Sequence, residues 1–294
     1  MNKPIQTAVQ QIMLGSVTKN EAAAAETLRL IKEAGYDGIE LNGFMIRPTS
    51  FLVRMLTKAA GMPTGAGGKF DWKSLVGNSG LSVVSIHEDL GTIKSTPEKV
   101  IEEAQLFGTE NIVITGMYRF DYTDPEAVSG LCKDLNTCGK ILRENGVSLL
   151  YHNHNVELQR LRNAKETGFD GSAYSYILKH TDPEVVHFEL DSYWFTEGGA
   201  NVPKIMTLLG PRMKLWHVND RGTRPSGKPF MTPILKSDAV ELGYGNMDLD
   251  TLCDLAEKNG ISAVVLETHK NWAEKSPIRS LQMSAEYLNR RFQH

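Results

Sequence analysis

Eight short runs of apolar, strand-type residues alternate with longer helix-like segments from one end of the chain to the other. That alternation leaves few folds open, because strands separated by helices must pair in parallel as βαβ units. The expected strands lie near residues 8–14, 38–41, 81–86, 111–115, 147–151, 185–190, 213–216 and 263–266. Most are apolar on both faces, as strands buried in a parallel sheet are. The helices between them carry their own signals. Residues 21–34 follow a cap at Thr18 or Asn20 and stop at Gly35. Val128, Leu131, Leu135, Cys138 and Leu142 recur at three-and-four spacing and form one apolar stripe, and Ile278, Leu281, Ala285 and Leu288 do the same over 276–292. In the second unit, 48–60 can be helical, but the glycine-rich 61–68 cannot continue it and is expected to be a flexible loop. The Pro/Gly-rich 223–233 falls inside unit seven and reads as an active-site loop rather than a boundary. Eight such units in 294 residues give a single (β/α)8 TIM-barrel domain spanning 1–294, a fold that commonly uses about 250 residues.

Charge narrows the partners. A formal net charge of −3 and a pI near 6.3 offer no basic face for DNA or RNA, so no nucleic-acid partner is expected. Residues 1–15 lack the apolar core of a secretory signal, and no run of roughly 18 apolar residues occurs, so the expectation is a cytoplasmic protein with no membrane partner. Cys132, Cys138 and Cys253 are odd in number and lack metal-type spacing, which reads as buried, reduced thiols.

In a (β/α)8 barrel the residues just past the carboxyl ends of the strands converge on one bowl, however far apart they lie in sequence. Asp191, His217 and Glu267 each directly follow an apolar run. Two carboxylates and an imidazole suit a divalent ion such as Mn, Mg, Co or Zn. A fourth ligand should come from strand five, whose end reads Tyr151-His-Asn-His-Asn-Val-Glu157. His152 ends the strand and points the same way as His154, while Glu157 lies further along but offers the harder oxygen donor. Glu40 and His87 end strands two and three and could reach the same bowl as substrate-binding groups, as could Asp220 and Arg221 beyond His217. Trp194 and Trp216 read first as core residues, although an aromatic at the rim would suit stacking on a sugar face.

The segments Gly35-Tyr-Asp-Gly-Ile-Glu40, Tyr151-His-Asn-His-Asn-Val-Glu157, Glu189-Leu-Asp-Ser-Tyr-Trp194, Trp216-His-Val-Asn-Asp220 and Leu242-Gly-Tyr-Gly-Asn-Met-Asp248 together resemble the sugar phosphate isomerase/epimerase group of xylose isomerase-like barrels. The resemblance runs in order through most of the chain. It implies one divalent metal ion, manganese foremost, with magnesium, cobalt or zinc as alternatives. In that family Glu, Asp, His and Glu from strands five to eight hold the ion, and the last three match Asp191, His217 and Glu267. The strand-five position departs. Where many members carry Glu-Asn-His, this chain reads His152-Asn153-His154, so either His152 or Glu157 is the remaining ligand. His154 matches the histidine that dehydratase members use as a base, and Arg221 resembles a substrate-binding arginine at shorter spacing.

A divalent ion beside the oxygens of a keto-sugar acidifies the neighbouring C–H, because an enediolate can form next to the positive charge. The expected activity is therefore a metal-dependent isomerase or epimerase acting on a small-molecule keto-sugar, polyol or cyclitol, with His154 as base and Glu157 and Glu267 as further proton-transfer groups. Elimination from an inosose or keto-glycoside by a dehydratase or lyase is the alternative, and a non-catalytic sugar-binding or complex subunit is a second of another class. A metal-dependent endonuclease would need a basic groove that this composition does not supply. No glycine-rich loop opens a helix in the way a phosphate cradle requires, so a neutral sugar is expected over a sugar phosphate. A homo-oligomer is an expectation by fold-level analogy.

Overall fold

The computed structural model describes residues 4–48, 55, 69–162 and 171–292. The chain forms strands β1 (Gln6–Gln10), β2 (Gly38–Asn42), β3 (Ser82–Glu88), β4 (Asn111–Ile114), β5 (Ser148–His152), β6 (Val186–Asp191) and β7 (Met213–Val218). A small hairpin of β8 (Asp220–Gly222) and β9 (Asp238–Val240) follows, and then β10 (Ala263–Leu266). β10 is the eighth barrel strand. It pairs in parallel with β7 and with β1, and β1 also pairs with β2, so the sheet closes on itself. The eightfold alternation in the sequence thus becomes a closed parallel barrel ringed by helices.

The barrel is filled, not hollow. Ala8, Val84, Val113, Leu150, Leu215, Ala263 and Val265 form one buried cluster, separate from the larger core that lies between sheet and helices. Because strand side chains alternate between faces, the residue two places on from each inward apolar residue also faces inward. Leu150 is followed in this way by His152, Leu215 by His217 and Val265 by Glu267. The apolar plug therefore supports a layer of ionisable groups at the carboxyl ends of the strands. The outer helices are set by local signals. Asn20 accepts a hydrogen bond from the Ala23 amide at 2.8 Å to start Glu21–Glu33, and Asp124 caps Pro125–Glu144, which begins with proline.

The structure alters some sequence expectations. The first strand ends at Gln10 rather than running to residue 14, because the Gln10 side chain accepts the Ile12 amide at 2.8 Å and turns Gln11–Leu14 into a 3-10 helix. The loop expected over 223–233 is the exposed tip of the β8–β9 hairpin. The helix expected over 48–60 lies almost wholly outside the described residues, and the loop expected over 61–68 lies entirely outside them. Cys132, Cys138 and Cys253 are free and buried. Among the described residues no helix is long and apolar enough to cross a membrane.

Candidate metal centre

His152, Asp191, His217 and Glu267 come from β5, β6, β7 and the residue after β10, and one ligand atom from each lies within 4.8 Å of all the others. Their backbones are fixed from several sides. Asn153 Nδ2 donates to the Asp191 carbonyl at 3.1 Å while its Oδ1 accepts the Asp191 amide at 3.0 Å, which ties the end of β5 to the end of β6. Asp191 Oδ1 accepts the Trp194 amide at 2.8 Å and caps the helix Ser192–Glu197, leaving its second oxygen for the centre. His217 Nδ1 lies 2.9 Å from Glu267 Oε2.

Beneath this set is a second polar layer. Glu40 Oε1 lies 2.5 Å from His217 Nε2 and 2.9 Å from His87 Nε2, and its other oxygen accepts the Ser85 hydroxyl. Glu189 Oε2 lies 3.0 Å from His87 Nε2, 3.1 Å from His152 Nδ1 and 3.2 Å from His217 Nε2. Glu40 and Glu189 are fully buried. Glu40 and His87, expected to bind substrate, thus meet the ring nitrogens of the metal-type residues rather than open bowl. His87, His152, Glu189 and His217 also satisfy the spacing of a metal-binding group by themselves. Reading the sequence overlooked Glu189. The signal was available: it sits two residues before Asp191 in the same strand, and so shares its inward face.

Crowding four carboxylates and three imidazoles out of water shifts their proton equilibria strongly. Burial, and then the charge of Glu267, raise Asp191 to about 8. Burial disfavours charge on His217, but Glu189, Glu40 and Glu267 overcome it and hold its pKa well above the ordinary value. Burial likewise opposes charge on His87, which Glu40 and Glu189 raise to about 10. Burial opposes the ionised forms of Glu189 and Glu267 too, yet neighbouring histidines hold both well below the usual carboxylate range. His152 is lowered by burial and by His217, and His154 is lowered to about 3 by burial and by His152.

The remaining expected site residues are distributed unevenly. His154 is partly exposed, its ring 5.1 Å from that of His152 and 5.8 Å from that of Trp194, at the open side of the centre. Glu157 is fully buried elsewhere: its carboxylate accepts the Tyr151 hydroxyl and the His154 amide, each at 3.0 Å, and burial raises its pKa. It falls outside both groups of metal-type residues. Asp220 spends its oxygens on the backbone amides of Arg221, Gly243, Gly245 and Met247 at 2.8–3.1 Å, and so anchors the segment after β9. Arg221 pairs with Glu197 at 2.7 Å. Neither expectation had reckoned with His269, whose Nε2 lies 3.5 Å from Glu267 Oε1 at the rim.

The upper set fits a divalent ion by its donor chemistry. Two carboxylates and two neutral-capable imidazoles are a standard mixed O/N set.

The sequence model of the xylose isomerase-like TIM barrels matches residues 28–290. Inosose dehydratase of Salmonella agona is 22% identical over 167 residues, 54% of this chain and 52% of the relative, so the match spans about half the length of that enzyme. A sugar phosphate isomerase/epimerase from Parabacteroides distasonis superposes with a TM-score of 0.74 at 20% identity, covering 97% of this chain and 94% of the other. A protein named IOLI, solved with a bound zinc atom, superposes with a TM-score of 0.66 at 15% identity, covering 99% and 100%.

Proposed function

The chain belongs to the xylose isomerase-like TIM barrel family, and from that premise we propose that it is a divalent-metal-dependent sugar isomerase or epimerase that removes a proton next to the carbonyl of a keto-sugar or keto-cyclitol. The observation that carries this reading is the convergence of His152, Asp191, His217 and Glu267 at the carboxyl ends of four strands, with the His154 imidazole beside them on the open side. An ion held by those four residues would supply positive charge beside the substrate oxygen on which negative charge develops. The other work falls to the chain itself. His154 is held neutral by burial and by His152, so its ring enters the reaction able to accept a proton. Removing solvent from His154 weakens it as a base. A developing negative charge next to the ring restores its affinity for the proton as transfer proceeds. Trp194, ring to ring with both His154 and His269, offers a flat apolar surface against which one face of a sugar can lie. The buried floor below the ligands keeps bulk water out from underneath.

Elimination is the second reading, and the similarity to inosose dehydratase favours it. In both reactions His154 takes the proton first, and they part only in what leaves or returns afterwards.

The test is deuterium exchange. The protein, loaded in turn with Mn, Mg, Co or Zn, is incubated in D2O with a panel of ketoses, keto-glycosides and inososes and followed by NMR. The expected result is deuterium at the carbon next to the carbonyl. A new isomer or epimer marks the first reading, and loss of water or of an aglycone the second. His154→Gln should slow exchange roughly 10²- to 10⁴-fold while metal content is kept. A metal-loaded protein that exchanges no substrate on the panel would overturn the enzymatic reading in favour of a binding subunit.

A further inference from the structure

Each imidazole in the centre has two nitrogens, and a neutral ring can coordinate only through the one that carries no proton. We propose that Glu189 and Glu40 act as positioning residues that place the proton on the floor-side nitrogen of each ligand histidine and leave the bowl-side nitrogen bare. This rests on the reading that an ion binds at His152, Asp191, His217 and Glu267.

An ionised carboxylate only accepts, so the 3.1 Å contact between His152 Nδ1 and Glu189 Oε2 puts the proton on Nδ1 and leaves Nε2 free. His217 faces carboxylates from both nitrogens, Nε2 meeting Glu40 at 2.5 Å and Glu189 at 3.2 Å and Nδ1 meeting Glu267 at 2.9 Å. Since Glu267 belongs to the ion-binding set and Glu40 and Glu189 do not, the proton that stays when an ion binds is the one on Nε2, and Nδ1 is the atom freed to coordinate. His87 donates into the same two oxygens from Nε2 at 2.9 and 3.0 Å. Three N–H groups and the Ser85 hydroxyl thus converge on two carboxylates that have no solvent to turn towards. A carboxylate behind a ligand imidazole fixes its tautomer and strengthens it as a donor. Here two carboxylates serve two ligand rings, and His87 holds the pair together.

The same atoms permit an opposite arrangement, because His87, His152, Glu189 and His217 could themselves surround an ion. The bare nitrogens would then be Nδ1 of His152 and Nε2 of His217. Burial argues against that arrangement: Glu40, Glu189 and His217 are fully buried, so an ion at the floor could not take a substrate oxygen.

Long-range 1H–15N NMR of the zinc-loaded protein, labelled at histidine nitrogen, separates the two. The expected spectrum has His152 protonated at Nδ1 and coordinated through Nε2, and His217 protonated at Nε2 and coordinated through Nδ1. The reverse pattern with zinc bound overturns the positioning role while leaving metal binding intact. Failure to bind zinc, or any of Mn, Co or Mg, removes the ion and this inference together. As a second arm, Glu189→Gln keeps the shape of the side chain and should weaken zinc binding roughly 10- to 100-fold with an unchanged circular dichroism spectrum. A variant that binds zinc as tightly as wild type would contradict the proposal.

Discussion

At the scale of single residues, the centre is governed by how much charge can be buried in one place. Burial and Glu267 raise Asp191 to about 8, and Glu189, Glu40 and Glu267 overcome burial to raise His217 well above its ordinary value, so the surroundings of both favour protonated forms that a bound cation would have to displace. Protons and metal therefore compete, and affinity must rise with pH. Titration calorimetry in buffers of different ionisation enthalpy should show proton release on metal binding at neutral pH, with affinity tightening as pH rises through about 8. A pH-independent affinity would mean that the ion binds elsewhere. Much of this centre was legible in the sequence. Asp191, His217, Glu267 and His152 each interrupt an apolar run where the strand ends, and a barrel brings such ends together. That Glu157 falls outside the cluster while His152 falls inside it was not legible, since both offer a plausible donor and it is the hydrogen bonds from the Tyr151 hydroxyl and the His154 amide that engage the Glu157 carboxylate. Glu40 and His87 were legible as inward-facing residues, but not their depth.

Elements expose the same limit in a different form. Gly139 lies inside the helix Pro125–Glu144, where glycine usually costs about 0.5–1 kcal/mol relative to alanine. On local grounds Gly139→Ala should stabilise. In the structure a Cβ at that position would sit 2.4 Å from the Val185 carbonyl oxygen, a backbone atom that cannot step aside without moving the segment leading into β6. The substitution should therefore destabilise, by about 1–3 kcal/mol as for other overpacked sites, seen as a lower denaturant midpoint with an unchanged slope. A raised midpoint would show that the helix can lift off the sheet freely. The β8–β9 hairpin was also invisible beforehand. Each strand has three residues, too few to show a period, and their pairing depends on the anchoring of Asp220 and on a turn fifteen residues long between them. The eight barrel strands were visible because each is a buried run bounded by helical segments.

For the whole molecule, the centre is also a clasp. The four residues that could hold an ion lie at the ends of β5, β6, β7 and β10, so a bound ion would tie together half of the barrel rim. Binding to the folded state alone stabilises by about 2.7 kcal/mol at a hundred-fold excess over Kd. Thermal unfolding should accordingly shift upward with added Mn or Zn, fall back with chelator, and show no shift in Asp191→Ala. An equal shift in that variant would place the stabilising ion outside the centre. The sequence by itself determined the parallel βαβ architecture and the strand ends that carry chemistry, because hydrophobic alternation is a local property that leaves few ways to bury eight strands. Only the tertiary structure decided which of those polar ends meet, that Glu189 and Glu40 contact the His152 and His217 rings, and that Glu157 and Asp220 hydrogen-bond to neighbouring hydroxyl and backbone groups. Those outcomes depend on distances between residues as far apart as Glu40 and His217, and on the slant and bulges of the sheet between them, which no local pattern encodes.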